Sequence, residues 1–76
     1  MQQNILTVMD DKGDTKHFWD PSNEVEVSAV ENVFSQLVSK GYMAARMNKD
    51  GSSGALIKKF NSKAGSILMM PPVRGG

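Results

Sequence analysis

The chain has no cysteine, so no disulfide staples it and no thiolate is available as nucleophile or metal ligand. Its single histidine is His17. A metal site there would need carboxylate partners, and none stands at a recognisable ligand spacing, so His17 reads as a strand surface residue. No apolar run approaches the ~20 residues of a membrane-crossing helix. The opening Met1-Gln2-Gln3-Asn4 has neither the basic region nor the apolar stretch of a targeting signal. A cytoplasmic protein that does not engage membranes is expected, and the missing disulfides are compatible with a reducing compartment. The glycine-containing stretch Asp50-Gly51-Ser52-Ser53-Gly54 lacks the Lys-Ser/Thr pair of a phosphate loop. Asp10, Asp11 and Asp14 fall in too short a loop for an EF-hand and have no distal glutamate; turn chemistry accounts for them. Nothing places a serine on a strained nucleophile elbow. The side chains therefore give no sign of an enzyme.

Charge is scarce in one sign on each half. Residues 1–38 carry two lysines against seven carboxylates, a net of −5, and residues 39–76 carry seven cations against Asp50 alone, a net of +6. In a domain of this size the ordinary consequence is attraction between neighbouring elements. The sharper consequence is a basic half suited to an acidic partner. An acidic half beside it argues against nucleic acid, because it repels phosphate unless it faces away.

Seventy-six residues make one domain, which buries only about 60% of the surface its unfolded chain exposes. Ile5-Leu6-Thr7-Val8-Met9 suits a strand, Asp10 to Asp14 a hairpin loop with a bulge, and Thr15 to Trp19 the returning strand. In that strand Thr15, His17 and Trp19 share one face and Lys16 and Phe18 the other. Phe18 and Trp19 are expected to pack in the core and at its edge. Asp20, Ser22 or Asn23 can cap a helix, and Asn23 has Glu26 three residues on, as in a capping box. Val27, Val30, Phe34, Leu37 and Val38 form one apolar stripe, Lys40 falls in the last turn and Gly41 follows as the stop. Tyr42–Met47 reads as a short strand, 48–54 as a loop, Ala55–Phe60 as a strand, 61–66 as a turn and Ile67–Met70 as the last strand. The order β-β-α-β-β-β gives the helix one economical way to bury its stripe, across one face of the sheet. Some methionines must fill core gaps. If the sheet leaves an apolar patch bare, Leu56 and Ile57 with neighbouring methionines are its best members.

The chain finishes Met69-Met70-Pro71-Pro72-Val73-Arg74-Gly75-Gly76. Two prolines hold the base of this tail extended. Two glycines without Cβ can thread a narrow channel, and a terminal carboxylate can be adenylated and passed to a nucleophile. A diglycine end arises by chance in about 0.5% of chains, so the weight comes from its combination with Pro-Pro and the preceding strand.

This outline and this ending resemble the β-grasp proteins of the ubiquitin-like class. Arg74-Gly75-Gly76 matches the end of ubiquitin. Pro71-Pro72-Val73-Arg74-Gly75-Gly76 is similar to the Pro-Pro-Val-x-Gly-Gly ending of the sulfur-carrier subunit of molybdopterin synthase. Prokaryotic ubiquitin-like modifiers are a third relative in outline. The motif covers six residues. One departure is that a strand begins directly after Gly41, where the sulfur carriers place a longer irregular stretch. The resemblance implies an α+β, β-grasp (ubiquitin-like) fold: a four- to five-stranded mixed sheet with one helix packed across it over residues 1–70, and a flexible extended tail over 71–76. It implies that Gly76, preceded by Gly75, is the point of conjugation or thiocarboxylation. Pro71, Pro72, Val73 and Arg74 would contact the partner, Arg74 through its planar fork at the channel mouth; Leu56 and Ile57 are added as partner contacts by the apolar-patch reading alone. The resemblance further implies a monomer that binds no cofactor itself. Its partner is an adenylating activating enzyme that spends ATP and magnesium, and a target protein or sulfur acceptor follows. The alternative is a non-catalytic adaptor, of the kind a phage or mobile element encodes, that binds a protein partner through its sheet.

Overall fold

A computed structural model describes residues 4–48 and 50–72, all but the side chain of Ser53. Five strands and one helix follow one another as β1 (Asn4–Asp10), β2 (Gly13–Trp19), α1 (Glu24–Ser39), β3 (Met43–Met47), β4 (Ser53–Ile57) and β5 (Ser66–Met70). The strands form one mixed sheet in the order β2-β1-β5-β3-β4. β1 and β5 run parallel at its centre and the other pairs are antiparallel. The architecture is α+β, a five-stranded sheet with a helix on one face.

The opening hairpin is tighter than the sequence implies. Asp10 pairs with Gly13, so only Asp11 and Lys12 turn the chain, and the β1–β2 register runs unbroken from Asn4↔Trp19 to Asp10↔Gly13 with no bulge.

The helix forms where the apolar stripe and the caps agree. Asn23 is the N-cap, and its Oδ1 accepts from the backbone N–H groups of Val25 and Glu26 at 3.1 and 3.2 Å. The returning arm of the expected capping box goes elsewhere: Glu26 Oε1 accepts from the Asp20 N–H at 2.8 Å. Asp20 in turn accepts from the Ser22 N–H and hydroxyl. At the far end Lys40 is the C-cap rather than a last-turn residue. The Gly41 N–H reaches the Val38 carbonyl and the Tyr42 N–H the Leu37 carbonyl, both at 3.0 Å. This is a Schellman ending, and it needs the left-handed backbone of Gly41, φ 95°.

The core lies between α1 and the sheet. Leu6 and Val8 of β1, Trp19 of β2, Val30 and Phe34 of α1, Ala44 of β3, and Ile67 and Met69 of β5 are buried together, and Val27, Val33, Leu37, Val38, Tyr42 and Ile57 pack against them. Phe60, from the segment between β4 and β5, wedges between two of these aromatics. Its ring centre is 5.1 Å from that of Trp19 and 5.7 Å from that of Phe34, within the range of favourable aromatic pairs. The same segment is pinned by two side chains. Trp19 Nε1 and Asn4 Nδ2 both donate to the Ser62 carbonyl, at 2.9 and 3.0 Å. The buried amide of Asn4 is thereby satisfied, as burial requires.

Three local expectations are corrected. β4 starts at Ser53, two residues inside the stretch read as loop, and ends at Ile57. Lys58, Lys59 and Phe60 are outside it because the chain must bend to bring Phe60 under the helix. Gly54 explains the early start. A Cβ there would lie 2.6 Å from the Arg46 carbonyl oxygen, so only glycine allows the two strands to meet beside the register shift between Ala45 and Met47. Phe18, expected in the core and at its edge, is instead about half exposed on the sheet face away from the helix. Its partner across β1 is Ile5.

Candidate functional surface at the open sheet face

Side chains alternate across a strand, so residues not turned to α1 define the opposite face of the sheet. Registers give its layout. One row runs Lys16, Thr7, Leu68, Ala45, Leu56 from β2 to β4, and another pairs Met70 of β5 with Met43 of β3. Phe18 and Ile5 adjoin one end, and Met9 and Met47 fill other positions. Phe18, Met9, Met43 and Leu56 are exposed, Leu56 by 61%. Ala45 is 1% exposed although it points away from the helix; its larger neighbours Leu56 and Leu68 rise around it. An apolar sheet face left exposed among the described residues is a candidate interaction surface.

β5 connects this surface to the proline pair. It is the central strand, and it ends at Met70, whose cross-strand partner is Met43. Pro71 and Pro72 follow directly, both exposed. Pro72 leans toward the end of α1, so that a Cβ on Gly41 would lie 3.4 Å from its own Cβ. The chain thus leaves the sheet between its apolar open face and the helix C-terminus. Val73, Arg74, Gly75 and Gly76 lie outside the described residues.

Leu56 and Ile57 do not share a surface. Leu56 lies on the open face, whereas Ile57 pairs with Ala44 and turns inward against the core. The two meet only at the rim of the sheet. There a pocket of about 310 Å³ has the half-buried Val38, Tyr42 and Ile57 at its base and Met43 and Leu56 beside them. Met43 and Met70, among the methionines expected beside Leu56, belong to the open face, as do Phe18 and Leu68, which were not singled out from the sequence. The alternation Met43, Ala45, Met47 was the available signal for the β3 part of that face.

The polar residues are structural. His17 is half-buried on the helix side of the edge strand β2. Among the described residues no three His, Asp or Glu side chains converge as metal ligands, and no helix is long and apolar enough to cross a membrane. The Ser22 N–H and hydroxyl hold the Asp20 carboxyl below its usual range, and the Ser52 hydroxyl and N–H do the same for Asp50. At the hairpin tip, a hydrogen bond with Asp11 and the Lys12 N–H lower Asp10, while Asp11, which shares that bond and feels the Asp10 charge, is raised. These are turn and cap contacts.

The chain matches no protein-family model, no curated protein and no solved structure.

Proposed function

We propose that this chain is a ubiquitin-like β-grasp protein whose Gly76 carboxylate, native or exposed by trimming, is activated by a partner adenylating enzyme. The observation that carries the reading is the motif Pro71-Pro72-Val73-Arg74-Gly75-Gly76 placed directly after the central strand β5. The strand order and the helix across one face are compatible with a β-grasp. The open apolar face borders the root of the tail through Met70 and Met43, which supplies a docking surface beside the reactive end.

On this reading the protein is a carrier and not an enzyme. The partner consumes ATP and magnesium and forms the acyl-adenylate, a mixed anhydride that is a good acyl donor. Sulfide then attacks the acyl carbon and displaces AMP, which leaves a thiocarboxylate, or a thiol displaces AMP to give a thioester, which a lysine amine converts to an amide with release of the thiol. Pro-Pro-Val leans toward the first outcome and Arg74 before the diglycine toward the second. The body of the protein supplies recognition, with Leu56 on the open face, and a monomer in the cytoplasm suffices for either outcome.

The test is ATP–pyrophosphate exchange with adenylating enzymes of the sulfur-carrier and modifier classes. Exchange that requires Gly76 and disappears when one alanine is appended after it supports the proposal. Exchange unchanged by that extension overturns it. The exposed face itself supports a second reading, a non-catalytic adaptor that binds a protein partner through its sheet. In that case removing Gly75 and Gly76 leaves partner binding intact.

A further inference from the structure

The two edges of the sheet differ in how they are protected. An edge strand offers unpaired N–H and C=O groups to any passing chain, and proteins blunt such edges with charge, proline or bulges. β2 carries Asp14, Lys16 and His17 within its seven residues. β4 reads Ser-Gly-Ala-Leu-Ile, with no charge and no proline. The register shift in its pairing with β3 lies at the Ser53 end, while Leu56 and Ile57 pair regularly with Ala45 and Ala44. The regular, uncharged end of this edge is also where the pocket of about 310 Å³ opens. Among the described residues, Lys58 is the only charged one lining that pocket, and Lys59 follows it in sequence.

We infer that β4 is a strand-addition site: it accepts an extended peptide segment of a protein partner that puts a large aliphatic or aromatic side chain into the pocket and an acidic side chain beside Lys58. Three features of the edge each define one part of that occupant. Alternate backbone groups of β4 face outward and call for an extended chain, since only a strand can pair with them. The base formed by Val38, Tyr42 and Ile57 calls for an apolar side chain. Lys58, with Lys59 next in the chain and no carboxylate among the described residues that line the pocket, calls for an acid. A residue two positions along a strand returns to the same face, so the apolar and acidic side chains should stand two residues apart. The inference deepens the adaptor reading and requires nothing of the diglycine tail.

The test is selection from a random heptapeptide display library on the immobilised full chain, followed by synthesis of the enriched peptides. Enrichment of Leu, Ile, Val, Phe or Tyr two residues from Asp or Glu is expected. Amide shift changes on titration should centre on Ala55–Lys58. Leu56→Asp, at a side chain 61% exposed, should weaken the synthetic peptides at least about tenfold without unfolding the protein. Lys58→Glu should turn the preference from acidic to basic peptides, an outcome that loss of folding cannot imitate. No enrichment, shift changes mapping elsewhere, indifference to Lys58→Glu, or a dimer joined through β4 in analytical ultracentrifugation would each overturn the inference. The same selection on a chain ending at Pro72 separates this site from the tail. Peptides retained there with adenylation lost leave both readings standing. Peptides lost there assign the binding to the tail and remove the β4 site.

Discussion

The carbonyl oxygen of Ser62 joins parts of the chain that lie far apart in sequence. It accepts from Trp19 Nε1 and from Asn4 Nδ2, and so ties the β4–β5 segment to the first hairpin. Two donors on one acceptor make their removal non-additive. Trp19→Phe leaves the carbonyl paired to Asn4, and Asn4→Ala leaves it paired to Trp19. The double variant strands a half-buried acceptor, which costs about 1–3 kcal/mol. Urea unfolding of the four proteins should show the double variant less stable than the two single losses predict, by about 0.5–1 kcal/mol. Strict additivity would mean that water replaces either donor freely. A second residue-scale prediction concerns Asp20. Its carboxyl is lowered by the Ser22 N–H and then by the Ser22 hydroxyl. A depressed folded-state value contributes stability that is full above the unfolded value and is lost as pH falls through the folded one. Carboxyl carbon NMR should therefore place the Asp20 midpoint below that of an ordinary aspartate, and Ser22→Ala should move it back up. A midpoint unaffected by Ser22→Ala would remove the hydroxyl from the account.

At the scale of elements, α1 and β4 are held by different kinds of information. The helix rests on its stripe and on Asn23, so Asn23→Ala should cost about 1 kcal/mol, the usual loss for an N-cap. β4 depends on Gly54. A Cβ there meets backbone, the Arg46 oxygen at 2.6 Å, and backbone cannot swing aside as a side-chain tip can. Gly54→Ala should cost about 1–3 kcal/mol and shift the Arg46 amide, while Gly51→Ala, strained by its own φ of 89°, acts on the turn from Asn48 to Ser52 and leaves the Arg46 amide in place. Equal losses in calorimetry with no movement at Arg46 would refute the close-approach argument. This difference also decides what could be read in advance. The helix, its stripe and its Gly41 stop were legible because periodicity and caps are local. The first hairpin, β3 and β5 were legible within a residue or two for the same reason. The early start of β4 was not, since Ser53 and Gly54 are turn formers by composition and become strand only through a neighbour seven or eight residues back. The Asn4–Ser62 contact spans 58 residues, and no local pattern announces it. Of the open face, Leu56 and its neighbouring methionines were named from composition; Ile57, named with them, turns inward against the core; and Phe18, expected with Trp19 to pack in the core and at its edge, stands on the opposite face from Trp19, as period-2 alternation requires.

At the scale of the molecule, the body and the proposed reactive end call for different tests. Among the described residues, every buried member of the cluster, from Leu6 to Met69, lies before the proline pair. A domain this small has only a few kcal/mol of stability to lose, so changes sort sharply by place. Phe34→Ala, at a side chain 2% exposed, removes about 3–5 kcal/mol and should leave the chain largely unfolded. Ending the chain at Pro72 keeps every described residue of the core cluster and the close approach of Pro72 to Gly41. Its melting temperature should stay within about 3 °C of the full chain, the shift expected for a surface change of under 1 kcal/mol. The truncated protein should nevertheless be inert in pyrophosphate exchange. The two measurements pull apart two ideas that a single activity assay would merge. A stable, inert truncation means that the last residues act as a chemical handle. A truncation that melts far lower means that they are part of the body, and a carboxylate packed into the body is not available to another enzyme.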